Sequence, residues 1–236
     1  MNVTLLRHGQ AQVKGEDYDH LSDLGFEQAA LVGAHLLRTM PRPQCVCVGP
    51  RRRHRQTWEA SALAGDGWPE PSYHQSLDEL PAEPIMQLGL PVLAQTAHPA
   101  ASLLPKLQQS GGLASLEVSE IIRLFDVVLA LWMDGVVTDP ELESWPRFLH
   151  RVKQTLEGLA AHARDGKPVL AITSAGFISA ARGLILGLEP SDVRRQMWTV
   201  PNCSLTVLSR GGTVADWDVK VATSDTFLPI ERRSCI

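Results

Sequence analysis

An arginine and a histidine stand at the end of the first apolar segment of this chain, Val3-Thr4-Leu5-Leu6-Arg7-His8-Gly9. Val3 to Leu6 are suited to a buried β-strand, so Arg7 and His8 are expected at its carboxyl end, where open α/β sheets bind ligands. A histidine on such a turn can act as a nucleophile, and the arginine beside it can hold an anion. Gly9 lets the backbone come close. The pattern predicts a nucleophile next to an anion site.

A second basic cluster follows a second strand-like segment. Cys45 to Val48 predicts a buried strand, and Gly49-Pro50 then leads into a helix that begins with Arg51-Arg52-Arg53-His54-Arg55-Gln56-Thr57. Both clusters are therefore expected at the same edge of a parallel sheet. We interpret Arg51, Arg52 and Arg55 as a solvated basic patch. A nucleic-acid site is not indicated, because this is one cluster in an acidic chain without interleaved aromatic residues.

Strand and helix patterns alternate along most of the chain, which predicts an α/β fold. The expected architecture is a three-layer αβα sandwich with a mostly parallel sheet and an antiparallel edge. Residues 81–146 hold seven of the sixteen prolines around one apolar helix, and we interpret them as a helical insertion or cap within a single domain of residues 1–236. The patterns predict strands at 3–6, 45–48, 72–75, 168–173, 204–209 and 213–218, and helices at 22–38, 53–63, 117–133, 147–164 (with a stop at Gly166) and 174–186.

The composition is that of an ordinary globular chain, with 236 residues, 44% of them hydrophobic, and a net charge of −4. The charge argues against nucleic acid or a membrane surface as the partner. No apolar run has the length of a transmembrane helix, and no basic region precedes the first strand, so no signal peptide is expected. The four cysteines form no C-x-x-C pair and are predicted to be reduced thiols in a cytoplasmic protein. Cysteine and histidine spacing indicates no metal site, and no cofactor is predicted.

Two segments resemble the signature of the histidine phosphatase superfamily, the phosphoglycerate-mutase-like enzymes. They are Arg7-His8-Gly9 and Gly49-Pro50-x-x-Arg53-x-x-Gln56-Thr57, the latter with Gly49 where the family has serine. The resemblance implies a phosphoglycerate-mutase-like fold, His8 as the nucleophile, and Arg7 and Arg53 as phosphate-binding residues. Planar guanidinium groups can hold a phosphoryl group through bidentate hydrogen bonds. The family requires no metal.

A third segment, Leu77-Asp78-Glu79-Leu80, follows the third predicted strand. It resembles the Leu-x-Glu context in which the family carries its proton donor, which points to Glu79, with Asp78 as the fallback. A glutamic acid near the leaving-group oxygen can protonate it as the P–O bond breaks. The alternative interpretation is a solvated Asp-Glu pair at a strand end.

The chain departs from the family where the strand ending at Thr173 leads into a helix. The family has a His-Gly pair there, and that histidine contacts the same phosphoryl group as the nucleophile, whereas this chain has Ser174-Ala175. Ser174 still offers a hydroxyl beside the free amides of the helix start, so it is assigned to phosphate binding. Loss of one preorganised donor costs ~10²- to 10³-fold in rate. Of the other histidines, His54 and His74 are the ones that the pattern places near this edge.

Two functions are compatible with these residues. The first is hydrolysis of a small phosphate monoester, a phosphorylated metabolite, through a phosphohistidine on His8. The second is that of a pseudoenzyme, which binds a phosphorylated ligand or a partner without turnover. A serine hydrolase with Ser174 on a nucleophile elbow is disfavoured, because Ile172 stands where that motif needs glycine and no histidine follows His162.

Overall fold

The computed structural model describes residues 1–12, 19–108, 112–163, 167–211 and 217–235. Within these ranges six strands form one sheet: β1 (Asn2–Arg7), β2 (Cys45–Val48), β3 (Pro71–Tyr73), β4 (Val169–Thr173), β5 (Leu205–Arg210) and β6 (Trp217–Ser224). Their order across the sheet is β3-β2-β4-β1-β5-β6. The first four strands in this order are parallel, and β5 runs antiparallel to both of its neighbours. The predicted α/β class with a mostly parallel sheet is confirmed.

Eight α-helices lie in the same ranges: α1 (Asp23–Thr39), α2 (Arg52–Ala60), α3 (Ala82–Ala94), α4 (Leu104–Gln108), α5 (Val118–Met133), α6 (Trp145–His162), α7 (Ala175–Leu186) and α8 (Pro190–Met197). Ser22 is the N-cap of α1, because its hydroxyl accepts a hydrogen bond from Gly25 N at 3.1 Å. Gly187 ends α7 in the left-handed conformation, with φ of 64°, which glycine adopts without steric cost.

Apolar side chains cover both faces of the sheet. On one face, Leu6 and Ile172 belong to a core cluster that includes Val32 of α1 and Trp58 of α2. Successive strand residues point to opposite faces, and the alternate positions, such as Leu5 and Ala171, are also fully buried. Burial on both faces is the property expected of the middle layer of an αβα sandwich.

Several elements differ from the sequence prediction, among them the short helix α4, which the pattern did not indicate. The pattern gave no indication of α3, because Pro84 and Pro91 were interpreted as helix breaks. Pro84 lies in the first turn of α3, where proline is tolerated, and Pro91 lies inside the helix. It likewise gave no indication of α8, which starts at Pro190. The last predicted strand, residues 213–218, lies partly outside the described residues, and β6 continues beyond it to Ser224. The predicted helix stop at Gly166 lies outside the described residues.

The chain divides into two compact units. The first, Met1–Glu79 with His150–Ile236, contains the sheet, and the second, Leu80–Leu149, is helical. The second unit has its own aromatic cluster, in which the ring centroids of Trp132, Trp145 and Phe148 lie 5.6 to 6.2 Å apart. In the parts of the chain that the structure describes, no helix has the length and apolarity needed to cross a membrane.

Candidate active site

Three parallel strands end together and bring the motif residues to one edge of the sheet. Arg7 of β1 pairs with Thr173 of β4, and Val48 of β2 pairs with Ile172 of β4. The next residues continue the pattern, since His8 N donates to Thr173 O at 3.0 Å and Gly49 N donates to Ile172 O at 2.9 Å. His8, Gly49 and Ser174 therefore follow three adjacent strand ends, all within the first compact unit.

The hydrogen bonds of His8 define its tautomer. His8 Nδ1 lies 2.7 Å from Gly9 O, and a carbonyl oxygen only accepts, so Nδ1 carries the proton. Arg53 Nε donates to His8 Nε2 at 3.1 Å, so Nε2 presents its lone pair. Together the two contacts indicate a neutral imidazole whose Nε2 can act as a nucleophile.

The surroundings of His8 oppose its protonation. His8 is only 5% exposed. Burial lowers the pKa of His8 well below its usual value, and the charges of Arg53 and Arg7 and the His54 ring lower it further, while the Gly9 carbonyl opposes the shift. The imidazole therefore remains unprotonated at neutral pH, as a nucleophile requires.

Arg53 is held between the predicted nucleophile and an acidic residue. In addition to its Nε contact with His8, its Nη1 forms an ion pair with Asp19 Oδ1 at 2.8 Å. Asp19 Oδ2 also accepts a hydrogen bond from Arg52 N at 2.8 Å, at the start of α2. Arg53 is buried, and its ion pair with Asp19 holds the guanidinium in the orientation in which Nε faces His8. Asp19 was not singled out from the sequence.

Arg7 is anchored by backbone carbonyls of the C-terminal part of the chain. Its Nη1 donates to Cys235 O at 2.7 Å and to Val200 O. The segment that carries Cys235 is tied down nearby, since Ser234 Oγ donates to Asn202 Oδ1 at 2.9 Å and Asn202 Nδ2 donates to His8 O at 3.3 Å. Arg7 is thus buried beside His8, with its orientation set by residues far away in the sequence.

The turn after β1 is held by residues of both motifs. A Cβ at Gly9 would lie 2.5 Å from Gly25 O, so α1 approaches this turn closely only because position 9 is glycine. Gly9 N donates to Thr57 Oγ1 at 3.0 Å, and Gln56 Oε1 accepts from Leu21 N at 2.9 Å. Thr57 of the second motif therefore holds the backbone next to His8, and Gln56 holds the segment before α1.

Glu79 directs its carboxyl group to the start of α7. Its Oε2 accepts a hydrogen bond from Gly176 N at 3.2 Å. Asp78 has a different role, because its Oδ1 accepts from Glu79 N at 2.8 Å and from Arg51 Nε at 2.5 Å. This corrects the interpretation of Arg51 as merely solvated, since the segment after β3 brings an acid to it. Arg55 lies 4.8 Å from the centroid of the Tyr73 ring.

Ser174 occupies the N-cap position of α7 but does not cap the helix with its side chain. Its Oγ lies instead 2.7 Å from His54 Nε2, and both residues are fully buried. The His54 ring centroid is 5.5 Å from that of His8. A Cβ at Gly49 would lie 2.2 Å from His54 Nδ1, so His54 fits only because position 49 is glycine.

Further contacts in this region were also absent from the sequence prediction. His54 was noted as near, but its bond to Ser174 depends on the packing of α2 against β4. His74, the other histidine noted, bonds Ser72 Oγ at 2.8 Å. Arg151 of α6 holds the segment before Glu79 through Ser76 O and Asp78 O.

No group of three or more potential metal ligands occurs in the ranges that the structure describes.

The comparison with family models matches residues 94–221, more than half of the chain, to the histidine phosphatase superfamily (branch 1). The chain belongs to this superfamily. The matched residues include Ser174 but not Arg7, His8, Arg53 or Glu79. No curated protein matches the sequence.

Solved phosphatase structures share the fold over nearly the whole chain. A mutant phosphoserine phosphatase from Entamoeba histolytica, in complex with phosphoserine, is 16% identical with a TM-score of 0.62, covering 97% of this chain and 99% of the other. The mycobacterial glucosyl-3-phosphoglycerate phosphatase is 20% identical with a TM-score of 0.61, covering 94% and 98%. The alpha-ribazole phosphatase from Shigella flexneri is 17% identical with a TM-score of 0.58, covering 95% and 96%. The predicted phosphoglycerate-mutase-like fold is confirmed.

Proposed function

We propose that this protein is a phosphatase that hydrolyses a small phosphate monoester through a phosphohistidine on His8. The observation that carries the proposal is the state of His8: a buried, neutral imidazole with its proton on Nδ1 and its Nε2 lone pair facing the Arg53 guanidinium. Membership of the histidine phosphatase superfamily supports the same reaction.

In the first step, the phosphoryl group replaces His8 Nε2 as the acceptor of the Arg53 Nε–H bond. His8 Nε2 attacks phosphorus, and the P–O bond to the leaving group breaks as Glu79 gives its proton to that oxygen. The Nδ1–H bond to Gly9 O stabilises the positive charge that develops on the ring. Arg7 and Arg53 neutralise the phosphoryl oxygens.

In the second step, water attacks the phosphorus of the phosphohistidine. The Glu79 carboxylate takes a proton from this water, so the residue returns to its acid form. The N–P bond breaks with its electron pair returning to His8 Nε2, and inorganic phosphate leaves. His8 is then the same neutral tautomer as before the reaction.

The test is a phosphatase assay on p-nitrophenyl phosphate, phosphoserine and 3-phosphoglycerate with wild type and His8→Ala. We expect His8→Ala to lose more than ~10³ in kcat/KM, because the nucleophile matters more than one oxyanion donor. His162→Ala, which removes an exposed imidazole from the end of α6, is the matched control and should behave as wild type. A wild type with no activity above that of His8→Ala on any ester would refute the proposal.

The second candidate, a phospho-ligand-binding pseudoenzyme, is supported by a separate observation. Arg53 is already paired with Asp19, and the position of the second family histidine is occupied by Ser174. Such a protein would bind inorganic phosphate in a manner that depends on Arg53 while showing no turnover. Isothermal titration with phosphate, run beside the assay, separates the two functions.

A further inference from the structure

A second fully buried imidazole, that of His54, has no part in the reaction described above. We propose that His54 and Ser174 act as one unit that replaces the family's second histidine, with the Ser174 hydroxyl donating to a phosphoryl oxygen and His54 Nε2 holding that hydroxyl. This inference rests on the proposed function. It makes Ser174 the residue that touches the phosphoryl group and His54 a positioning residue.

The first support is where the Ser174 hydroxyl is used. A serine at an N-cap normally accepts a hydrogen bond from an amide of the first helical turn. Ser174 makes no such bond, and the amide of Gly176 donates instead to Glu79. The hydroxyl lies 2.7 Å from His54 Nε2, so it points to His54 and not to the amides of α7 that an N-cap serine would bind.

The second support is that both departures from the family pattern contact the same side chain. The family has serine at position 49 and histidine at position 174, where this chain has Gly49 and Ser174. Ser174 bonds His54, and any side chain at Gly49 would collide with the His54 ring at 2.2 Å. Positions 49 and 174 therefore both lie against the His54 ring, and the residues found at both leave space for that ring or bond it.

The third support is the electrostatic setting of His54. Burial lowers the pKa of His54 well below its usual value, and the charges of Arg53 and Arg51 lower it further, while the Gly49 backbone opposes the shift. Without ligand the ring is therefore neutral. A phosphoryl dianion beside Arg53 offsets the arginine charges, so it favours a proton on His54 and strengthens donation from Nε2 to Ser174 Oγ. The ring lies 5.5 Å from His8 by centroids, within reach of that effect.

The test relocates the imidazole. We expect His54→Ala and Ser174→Ala each to lower kcat/KM on p-nitrophenyl phosphate by ~10²- to 10³-fold, and the double variant to lose no more than either. Ser174→His alone should not help, because His54 leaves no room for a second ring. Ser174→His combined with His54→Ala should recover at least ~10-fold over His54→Ala, which a purely structural role of His54 would not produce.

Gly49→Ala supplies an internal control for the packing argument. It should impair the wild type, because the added Cβ meets His54 Nδ1, and it should cause no further loss in the His54→Ala background. Circular dichroism and thermal unfolding verify that each variant is folded, and His162→Ala should leave the rate unchanged.

The outcomes separate this inference from the proposed function. If wild type does not turn over any ester, the proposed function fails, and the same variants are compared by their Kd for inorganic phosphate, where the inference requires the same loss and recovery. If folded His54→Ala matches wild type in both rate and phosphate affinity, the inference is overturned. An acid-stable phosphoserine at Ser174 that persists in His8→Ala would overturn both, because Ser174 would then be the nucleophile with His54 as its base.

Discussion

Each ring nitrogen of His8 has one hydrogen-bond partner, and the two partners determine which tautomer the imidazole adopts. Gly9 O takes the Nδ1 proton, and Arg53 Nε faces the Nε2 lone pair. The spacing Arg7-His8-Gly9 was enough to predict a nucleophile beside an anion site. The tautomer was not predictable, because it depends on an arginine 45 residues away in the sequence.

We predict that Arg53→Met raises the pKa of His8. Burial is the largest cause of the lowered value and remains in the variant, so the pKa should rise but stay below ~6.5. The Arg53 charge is the next cause, and the substitution removes it. An NMR titration of the His8 ring measures the change.

Arg55→Met is the matched control for this titration. Arg55 lies on α2, like Arg53, but its guanidinium lies over the Tyr73 ring of β3. It should leave the His8 titration unchanged. An unaltered or lowered His8 pKa in Arg53→Met would show that the two side chains are not coupled in solution.

Among the secondary-structure elements, α6 fixes the segment that ends in Glu79. Arg151 Nη1 donates to Ser76 O at 3.0 Å and to Asp78 O at 2.8 Å, and Nη2 donates to Glu79 O at 3.3 Å. The sequence indicated a helix here but not this contact, because periodicity shows which face is apolar and not which polar side chain reaches a distant carbonyl. Glu79 was assigned from its Leu-x-Glu context alone, and its role stays a prediction.

We predict that Arg151→Met lowers kcat by about 10²-fold without removing any group that touches substrate, because a small displacement of Glu79 is sufficient for such a loss. The three backbone carbonyls that lose a donor should also reduce the free energy of unfolding by ~1–3 kcal/mol. Steady-state kinetics and urea unfolding measure the two effects.

Arg147→Met is the control, because Arg147 is exposed one turn earlier on α6. It should change neither quantity. Full activity in a folded Arg151→Met protein would mean that Glu79 is positioned without α6.

At the scale of the whole molecule, two neutral imidazoles are buried in the first compact unit. The pKa values of His8 and His54 are both well below the usual histidine value, chiefly because of burial. In the unfolded chain both groups titrate near ~6.5. Below that pH the unfolded chain binds protons that the folded protein does not, so the free energy of unfolding falls as the pH falls.

We predict that stability is fully retained above pH ~6.5 and decreases below it, with each histidine contributing a slope of at most about 1.4 kcal/mol per pH unit. Urea unfolding at a series of pH values measures the slope. His54→Ala should lower this slope by up to about 1.4 kcal/mol per pH unit. A slope equal to that of wild type in His54→Ala would show that His54 is protonated in the folded protein.

The alternation of strands and helices was sufficient to predict the α/β class, and buried runs such as Val3–Leu6 and Val169–Thr173 identified the central strands. What the sequence did not reveal depends on packing across large separations. α3 was missed because its prolines resemble breaks, and Asp19 because its partner Arg53 lies on another element. His54 was recognised as near the site, but its contact with Ser174 required the register of β2 beside β4.

The most direct test of the central claim is to trap the phosphorylated enzyme. Wild-type protein is mixed with a radiolabelled phosphate ester, quenched with denaturant at alkaline pH and digested. We predict a base-stable, acid-labile phosphohistidine at His8 that is absent from His8→Ala and present in His162→Ala. Turnover in wild type without any label on His8, or a label that persists in His8→Ala, would contradict the account.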